Sequence, residues 1–276
     1  MPDLLSYQKA GELKKGFDLI GGKAHALIEL VRAGFAVPGG FIVTTDLFDY
    51  YLSSKKTHIE QENEANSIKS IEFSVQTKSK IDNYLNEFID ADNYAVRSSA
   101  SVEDALEQSF AGQFESYLNV SQSKVSESIK GCWASLYSVR VNEYMKNMGV
   151  GVVDRKMGVL VQRMLNPTIS GIAFSAHPVT KNKSVVVIEA IPGSNDALVQ
   201  GTVNPCRYII DKKLNILEKK FETQHGNNIF NDDQIIHLTK KTIEAERIFG
   251  YPVDIEWSVE NGSLYFLQCR PITTMM

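Results

Sequence analysis

Cysteine is scarce in this 276-residue chain: Cys132, Cys206 and Cys269 are odd in number, far apart, and form no C-x-x-C pair. That excludes a disulfide framework and reads as three buried or half-buried thiols in a reducing compartment. Long apolar runs are missing too, and nothing approaches the roughly 20 residues of a membrane-spanning helix. The opening stretch, MPDLLSYQKAGELKKG, lacks the apolar core of a secretory signal. The expectation is a cytoplasmic protein with no membrane partner. Neither charge sign dominates: 29 basic and 33 acidic residues give a net charge of −4. A mildly acidic chain has no field suited to wrapping nucleic acid. The five histidines, His25, His58, His177, His225 and His237, form no H-x-x-x-H pair and accompany no cysteine cluster. No zinc site and no nucleophile–base triad is read from them. His177, in Ser175-Ala176-His177-Pro178, is the one kept under watch.

What is present is ordinary globular composition, 43% hydrophobic and 22% charged, enough for a sizeable core without a metal or disulfide staple. Gly21 and Gly22 precede a helical stretch with Ala24, Leu27, Leu30 and Val31 on one face, ended by Gly34. Val37-Pro38-Gly39-Gly40 reads as a turn and Phe41–Thr44 as a strand. Residues 53–80 are polar and read as a surface excursion or irregular helices. Tyr94–Val96 is strand-like, 99–113 a loop rich in Ser, Ala and Gly, and Phe114–Val120 a returning strand. Residues 121–148 read as one long helix with Val125, Ile129, Cys132, Trp133 and Leu136 at helical spacing. Beyond residue 157 the pattern turns to strands near 158–162, 172–174, 185–188 and 208–210. An amphipathic helix over 231–249 and a hairpin over about 253–270 follow. The shift near residue 150 suggests two lobes, roughly 1–156 and 157–276, of one domain, and ligands favour the cleft between lobes.

Four segments have residue types suited to phosphate chemistry. Gly21-Gly22-Lys23 opens a helix, where unpaired N–H groups favour anions. It is not a P-loop: Gly16 lies one residue too far from Gly22, and Ala24 follows the lysine. A glycine-rich turn with a surface lysine is the plain alternative. Arg97-Ser98-Ser99-Ala100-Ser101-Val102-Glu103-Asp104, followed by Ser109-Phe110-Ala111-Gly112-Gln113, places an arginine at a strand end before a pliant loop. An arginine there forks onto phosphate oxygens and the loop lays N–H groups over a polyphosphate. An Arg97 salt bridge to Glu103 or Asp104 stays open as the alternative. In the C-terminal hairpin a three-residue Glu260-Asn261-Gly262 loop with a bulge, pairing Val259 with Ser263, segregates polar from apolar side chains. It sets Asp254, Glu256, Ser258, Gln268 and Arg270 on one face, along with Leu264 and Phe266, and Ile255, Trp257, Val259, Tyr265 and Leu267 on the other. Oxygen ligands of this kind suit Mg²⁺. Lastly, Gln162 and Met164 close a strand in Val161-Gln162-Arg163-Met164, where an amide and a soft thioether can border adenine, with core packing the default reading.

Taken together and in this order, the segments resemble the nucleotide-binding domain of phosphoenolpyruvate synthase, pyruvate phosphate dikinase and rifampicin phosphotransferase. The resemblance rests on GGKAHALIEL with PGGFIVTT, AVRSSASVED with SFAGQFESYLNV, VLVQRML with SGIAFSAHPVT, LVQGTVNP, and DIEWSVENGSLYFLQCRPITT. It runs from about Gly21 to Thr273. AVRSSA-x-x-ED with SFAGQ, and DIEW with LQ-x-RP, are specific. The resemblance implies a mixed α+β, ATP-grasp-like fold with ATP held between two lobes. It implies that Lys23 and Arg97 contact the phosphates, and that Ser109, Ala111, Gly112 and Gln113 form the loop over them. Gln162 and Met164 would border adenine, Glu256 and Gln268 would hold Mg²⁺, and Arg270 would face the γ-phosphate. In these families ATP gives its β-phosphate to a histidine on a swivelling domain, leaving AMP and phosphate.

This chain departs from that pattern. It has no Thr-Ser-His-Ala-like phosphohistidine motif and no pyruvate- or drug-binding part. Gly193-Ser194-Asn195-Asp196 stands where the family often has Gly-Leu-Gly-Glu, and His177 stands where Asp or Asn is common. Three functions follow as expectations. The first is an ATP-dependent dikinase-type module that phosphorylates a histidine on a partner protein supplied in trans. The others are a stand-alone small-molecule kinase and a non-catalytic ATP-binding regulator.

Overall fold

The computed structural model describes residues 3–13, 16–53, 64–88, 91–100, 114–147, 155–194, 198, 203–221 and 229–275. The chain divides into two units, Met1–Ile28 with Gly39–Met164, and Glu29–Pro38 with Leu165–Met276. Both mix helices with an antiparallel sheet, so the α+β class read from the sequence is the class observed.

In the first unit, β1 (Leu4–Ser6), α1 (Tyr7–Gly11), α2 (Phe17–Ile20) and α3 (Gly22–Arg32, whose last turn from Glu29 belongs to the second unit) precede β2 (Gly40–Val43) and α4 (Thr45–Ser53). Then come α5 (Glu64–Lys69), α6 (Val75–Asn86), β3 (Tyr94–Ala100), β4 (Ser116–Val120), α7 (Val125–Ser135), α8 (Val139–Asn147) and β5 (Met157–Arg163). The sheet runs β1-β2-β5-β3-β4. Side chains alternate between faces of a strand, and that rule organises the unit. Tyr94, Val96 and Ala100 of β3 join Met157, Val159 and Val161 of β5 in one apolar cluster with Phe48, Ile81, Ile129 and Trp133 from the helices. Burying each large apolar side chain contributes about 1.5–3 kcal/mol. The opposite face of the same two strands presents Ala95, Arg97 and Ser99 beside Gln162, Leu160 and Gly158, their register partners.

The single helix expected over 121–148 is broken. A 3-10 turn at Gln122–Lys124 precedes α7, and α8 starts afresh after Leu136, Tyr137 and Ser138. Ser138 is the reason: its hydroxyl accepts from the Val141 N–H at 3.3 Å, the role of a helix N-cap. The stretch read as a surface excursion contains α5 and α6, and α6 buries Ile81 and Leu85 behind a Ser74 cap. Residues 54–63 of that stretch lie outside the described residues.

The second unit holds β6 (Ile169–Phe174), β7 (Val185–Pro192), β8 (Cys206–Asp211), β9 (Ile216–Lys220), α9 (Asp232–Phe249), β10 (Val253–Glu260) and β11 (Ser263–Pro271). Its sheet order is β11-β10-β6-β7-β8-β9. Helix α9 begins with a capping box, Asn231 with Gln234, and ends on Gly250 at φ 77°. Its Ile235, Leu238 and Ala245 cluster with Ile188, Tyr208, Ile255, Trp257 and Phe266 on one sheet face.

The hairpin register differs from the one favoured by patterning. Glu260 pairs with Ser263, so the loop is the two-residue Asn261-Gly262 turn, with φ 50° and 77°. Both angles positive is the signature of a type I′ turn. The bulge lies further along, where the register shifts between Glu256 and Trp257. Below it, Glu256 faces Gln268 and Asp254 faces Arg270; above it, Trp257 faces Phe266 and Val259 faces Leu264. Leu264 and Phe266 therefore belong to the apolar cluster rather than the polar face. One bulge satisfies both halves of the pattern, which no bulge-free register can do. Among the described residues no helix is long and apolar enough to cross a membrane.

Candidate functional site

In the first unit the start of α3 is built around Gly21. Its φ is 75°, and a Cβ there would sit 1.9 Å from the Ser99 carbonyl oxygen. Only glycine allows that approach. The contact lets Ser99 Oγ accept from the Ala24 N–H at 3.0 Å, which caps the helix from strand β3. Lys23 thus stands in the first turn of an 11-residue helix, at its positive end. Burial pushes the Cys132 thiol well above its usual range, and Lys23 is near enough to oppose that rise.

Arg97 sits two residues before Ser99 on the same strand face, paired with Leu160 and with Ser116. Gln162 occupies that face of β5, between Gly40 and Ala95, and is 3% exposed. Met164 follows the strand, and its N–H donates to Asn93 O at 2.9 Å. The structure thus puts the helix start with Lys23, Arg97 and Gln162 on one side of the unit's sheet. Ser109, Ala111, Gly112 and Gln113, read as the loop over the phosphates, lie outside the described residues; so do Glu103 and Asp104, the alternative partners of Arg97.

A residue that patterning missed joins this group. Tyr7, first in α1, turns its ring inward. Burial pushes its phenol far above the ordinary range; Gln162 and Arg97 are both close enough to oppose the rise. Even so, neither Tyr7 Oη nor Gln162 Nε2 has a hydrogen-bond partner of acceptable geometry. The signal in the sequence was Gly40, read as part of a turn. It is the first residue of β2, and a Cβ on it would meet Tyr7 Oη at 2.3 Å.

In the second unit the polar face of the hairpin brings four of the expected residues together. Glu256 and Gln268 are paired across the strands and each is 7% exposed. Asp254 accepts from Arg270 Nε on both carboxylate oxygens at 2.9 Å. Burial raises the Asp254 carboxyl to about 6; Arg270 opposes the rise and the neighbouring Glu256 adds to it. Among the described residues no group of three His, Cys, Asp or Glu is arranged to hold a metal. Glu256 and Gln268 offer one carboxylate and one amide oxygen, a donor set suited to a hard cation that takes its remaining ligands from phosphate and water. His177 serves the backbone of its own turn, where its Nδ1 accepts from the Val179 and Thr180 N–H groups, both at 3.3 Å. That is the turn-closing part an Asp or Asn side chain plays, which accounts for a histidine at this position without assigning it chemistry.

The raised Asp254 carboxyl gives a pH signature. Its folded value, about 6, lies above the unfolded 3.8, so the native state holds the extra proton between those values. Stability from this group is present below pH 3.8 and is lost as pH rises towards 6, by up to about 3 kcal/mol. Urea midpoints at pH 4.5 and 7 should therefore show a smaller difference for Asp254→Asn than for the natural chain. Equal differences would contradict the assignment.

Residues 17–276 match the family described as "Pyruvate phosphate dikinase, AMP/ATP-binding domain", and the chain belongs to that family. The resemblance carried by the sequence motifs is thereby borne out. The "Uncharacterized phosphotransferase YvkC" of Bacillus subtilis (strain 168) is 32% identical over 96% of this chain and 34% of its own length. A "Probable phosphoenolpyruvate synthase" of Archaeoglobus fulgidus is 33% identical, covering 95% of this chain and 41% of that protein. The "Rifampicin phosphotransferase" of Bacillus cereus is 33% identical over 93% of this chain and 34% of its own length. The chain thus spans between 34% and 41% of the length of these three relatives. Among solved structures, D-alanyl-alanine synthetase A from Vibrio cholerae is similar at 9% identity over 95% of this chain and 57% of that one, with a TM-score of 0.43.

Proposed function

We propose that this chain is an ATP-grasp-like, Mg-ATP-binding phosphotransferase module that passes a phosphoryl group from ATP to a histidine of a partner domain. The observation that carries the reading is the pairing of Glu256 with Gln268 on a polar hairpin face beside the Asp254–Arg270 ion pair. Family membership and the relatives' names, phosphotransferase and phosphoenolpyruvate synthase, support the same reaction class. Lys23 and Arg97 would neutralise phosphate charge, with the α3 start adding its N–H dipoles. Glu256 and Gln268 would hold Mg²⁺, which supplies charge stabilisation at the β- and γ-phosphates. Arg270, oriented by Asp254, would bind the γ-phosphate, and Gln162 with Met164 would border adenine. The chain's contribution is position and charge rather than covalent chemistry.

The chemistry balances in two steps. A histidine nitrogen attacks the β-phosphorus and displaces AMP; water then takes the γ-phosphoryl group, which leaves as inorganic phosphate. The relatives extend well beyond the part matched here, which is 34–41% of their length, and the acceptor histidine is proposed to lie on a separate domain. Incubation with ATP labelled separately at the β- and γ-positions, together with a phosphohistidine-domain protein, tests the proposal. The expected products are AMP, labelled phosphate from the γ-position and β-label on the partner. ADP formed with a metabolite and no partner would instead establish a small-molecule kinase. Nucleotide binding with no turnover under either condition would establish a regulator.

A further inference from the structure

Buried polar atoms are nearly always hydrogen-bonded, and an exception calls for an explanation. Two exceptions face each other here. Tyr7 and Gln162 are 8% and 3% exposed, and Tyr7 Oη and Gln162 Nε2 are buried without a partner. A phenylalanine at position 7 would fill the same space without the unpaired oxygen. The fold even makes room for that oxygen, since any side chain on Gly40 would collide with it at 2.3 Å and with the Val161 carbonyl at 2.2 Å. Local rules of this kind are broken mainly at functional sites. Gln162 lies on the sheet face that carries Arg97 and the Ser99-capped start of α3, and Arg97 is within electrostatic reach of the same hydroxyl.

We infer that Tyr7 is a positioning residue for Gln162: its hydroxyl orients the Gln162 amide towards the purine of the bound nucleotide, so that Tyr7 sets affinity and base preference without touching the phosphates. The inference rests on the nucleotide reading above. The Tyr7 hydroxyl and the Gln162 amide lie within reach of each other. On binding, Gln162 Nε2 donates to a ring acceptor or to Tyr7 Oη, the hydroxyl takes up the remaining bond, and both atoms are satisfied together. A site built to hydrogen-bond its ligand discriminates strongly, because the wrong ligand leaves buried groups unpaired.

The experiment is a set of calorimetric titrations with Mg-ATP and Mg-GTP on the natural chain, Tyr7→Phe, Gln162→Leu and the double variant, with thermal midpoints measured in the absence of nucleotide. Tyr7→Phe should keep or raise the midpoint, weaken Mg-ATP binding at least fivefold, and bring the ATP-to-GTP preference nearer to one. In the Gln162→Leu background the same change should have no further effect, because coupled residues are not additive. Tyr7→Phe with natural affinity and natural base preference would overturn the inference while the nucleotide reading stands. A Tyr7→Phe chain that no longer folds would make the hydroxyl structural and overturn it equally. A natural chain that binds neither nucleotide would sink the nucleotide reading itself, and this inference with it.

Discussion

Replacing Glu256 by glutamine should lower partner-dependent AMP formation by about 100-fold or more, the scale on which losing one preorganised electrostatic group acts. The side chain is 7% exposed and paired with Gln268, so an isosteric amide keeps the packing. What it removes is the one formal negative charge in the proposed Mg²⁺ ligand pair. The same charge helps to raise the Asp254 carboxyl. The amide keeps the shape of the side chain, so the melting temperature at pH 7 should move little while activity collapses. That contrast separates a ligand from a structural carboxylate: loss of a carboxylate that holds the hairpin together would lower activity and melting temperature together. Steady-state AMP production with thermal unfolding of the same sample reads both.

The second large effect belongs to Gly21. At φ 75° an alanine there costs about 1–2 kcal/mol from backbone strain alone. Its Cβ would lie 1.9 Å from the Ser99 carbonyl oxygen, so strand β3 and the start of α3 must separate. The Ser99 hydroxyl would then lose the Ala24 N–H, and a lost cap costs roughly 1 kcal/mol more. Gly21→Ala should therefore destabilise the chain by about 3 kcal/mol or more, with at least tenfold weaker Mg-ATP binding. Gly34 supplies the control: its φ is 77°, but a Cβ there meets nothing within 4 Å. Gly34→Ala should show the strain term only. Equal urea midpoints for the two variants would mean that the Ser99 contact contributes nothing.

Much of this arrangement was legible in the sequence because local chemistry determines it. Arg97 and Gln162 stood out by residue type beside their strands; their shared face comes from the register and from β3 running on to Ala100, beyond the strand read at Tyr94–Val96. Polar alternation in Asp254, Glu256 and Ser258 marked the face of the hairpin that stays out of the apolar cluster. The register was misread because patterning weighs one loop against another and carries no term for a bulge in mid-strand; Leu264 and Phe266 were the discordant residues that reported it. The break at Ser138 was hidden by continuous helical spacing, since a hydroxyl that caps and a hydroxyl that merely sits on a helix look alike in sequence. Tyr7 was missed because its partners, Gly40, Arg97 and Gln162, lie 33 to 155 positions away in the chain. A contact of that kind follows from strand order, which no local pattern encodes. The same holds for residues 29–38, which group with Leu165–Met276 although the first four of them are the last turn of the helix that begins at Gly22.

Calorimetric titration of the purified chain with ATP, run with and without magnesium, tests the central claim most directly. The account requires one saturable site whose affinity falls sharply when magnesium is withheld, and falls again in Lys23→Ala and Glu256→Gln. A flat titration, or binding indifferent both to magnesium and to these two substitutions, would contradict it.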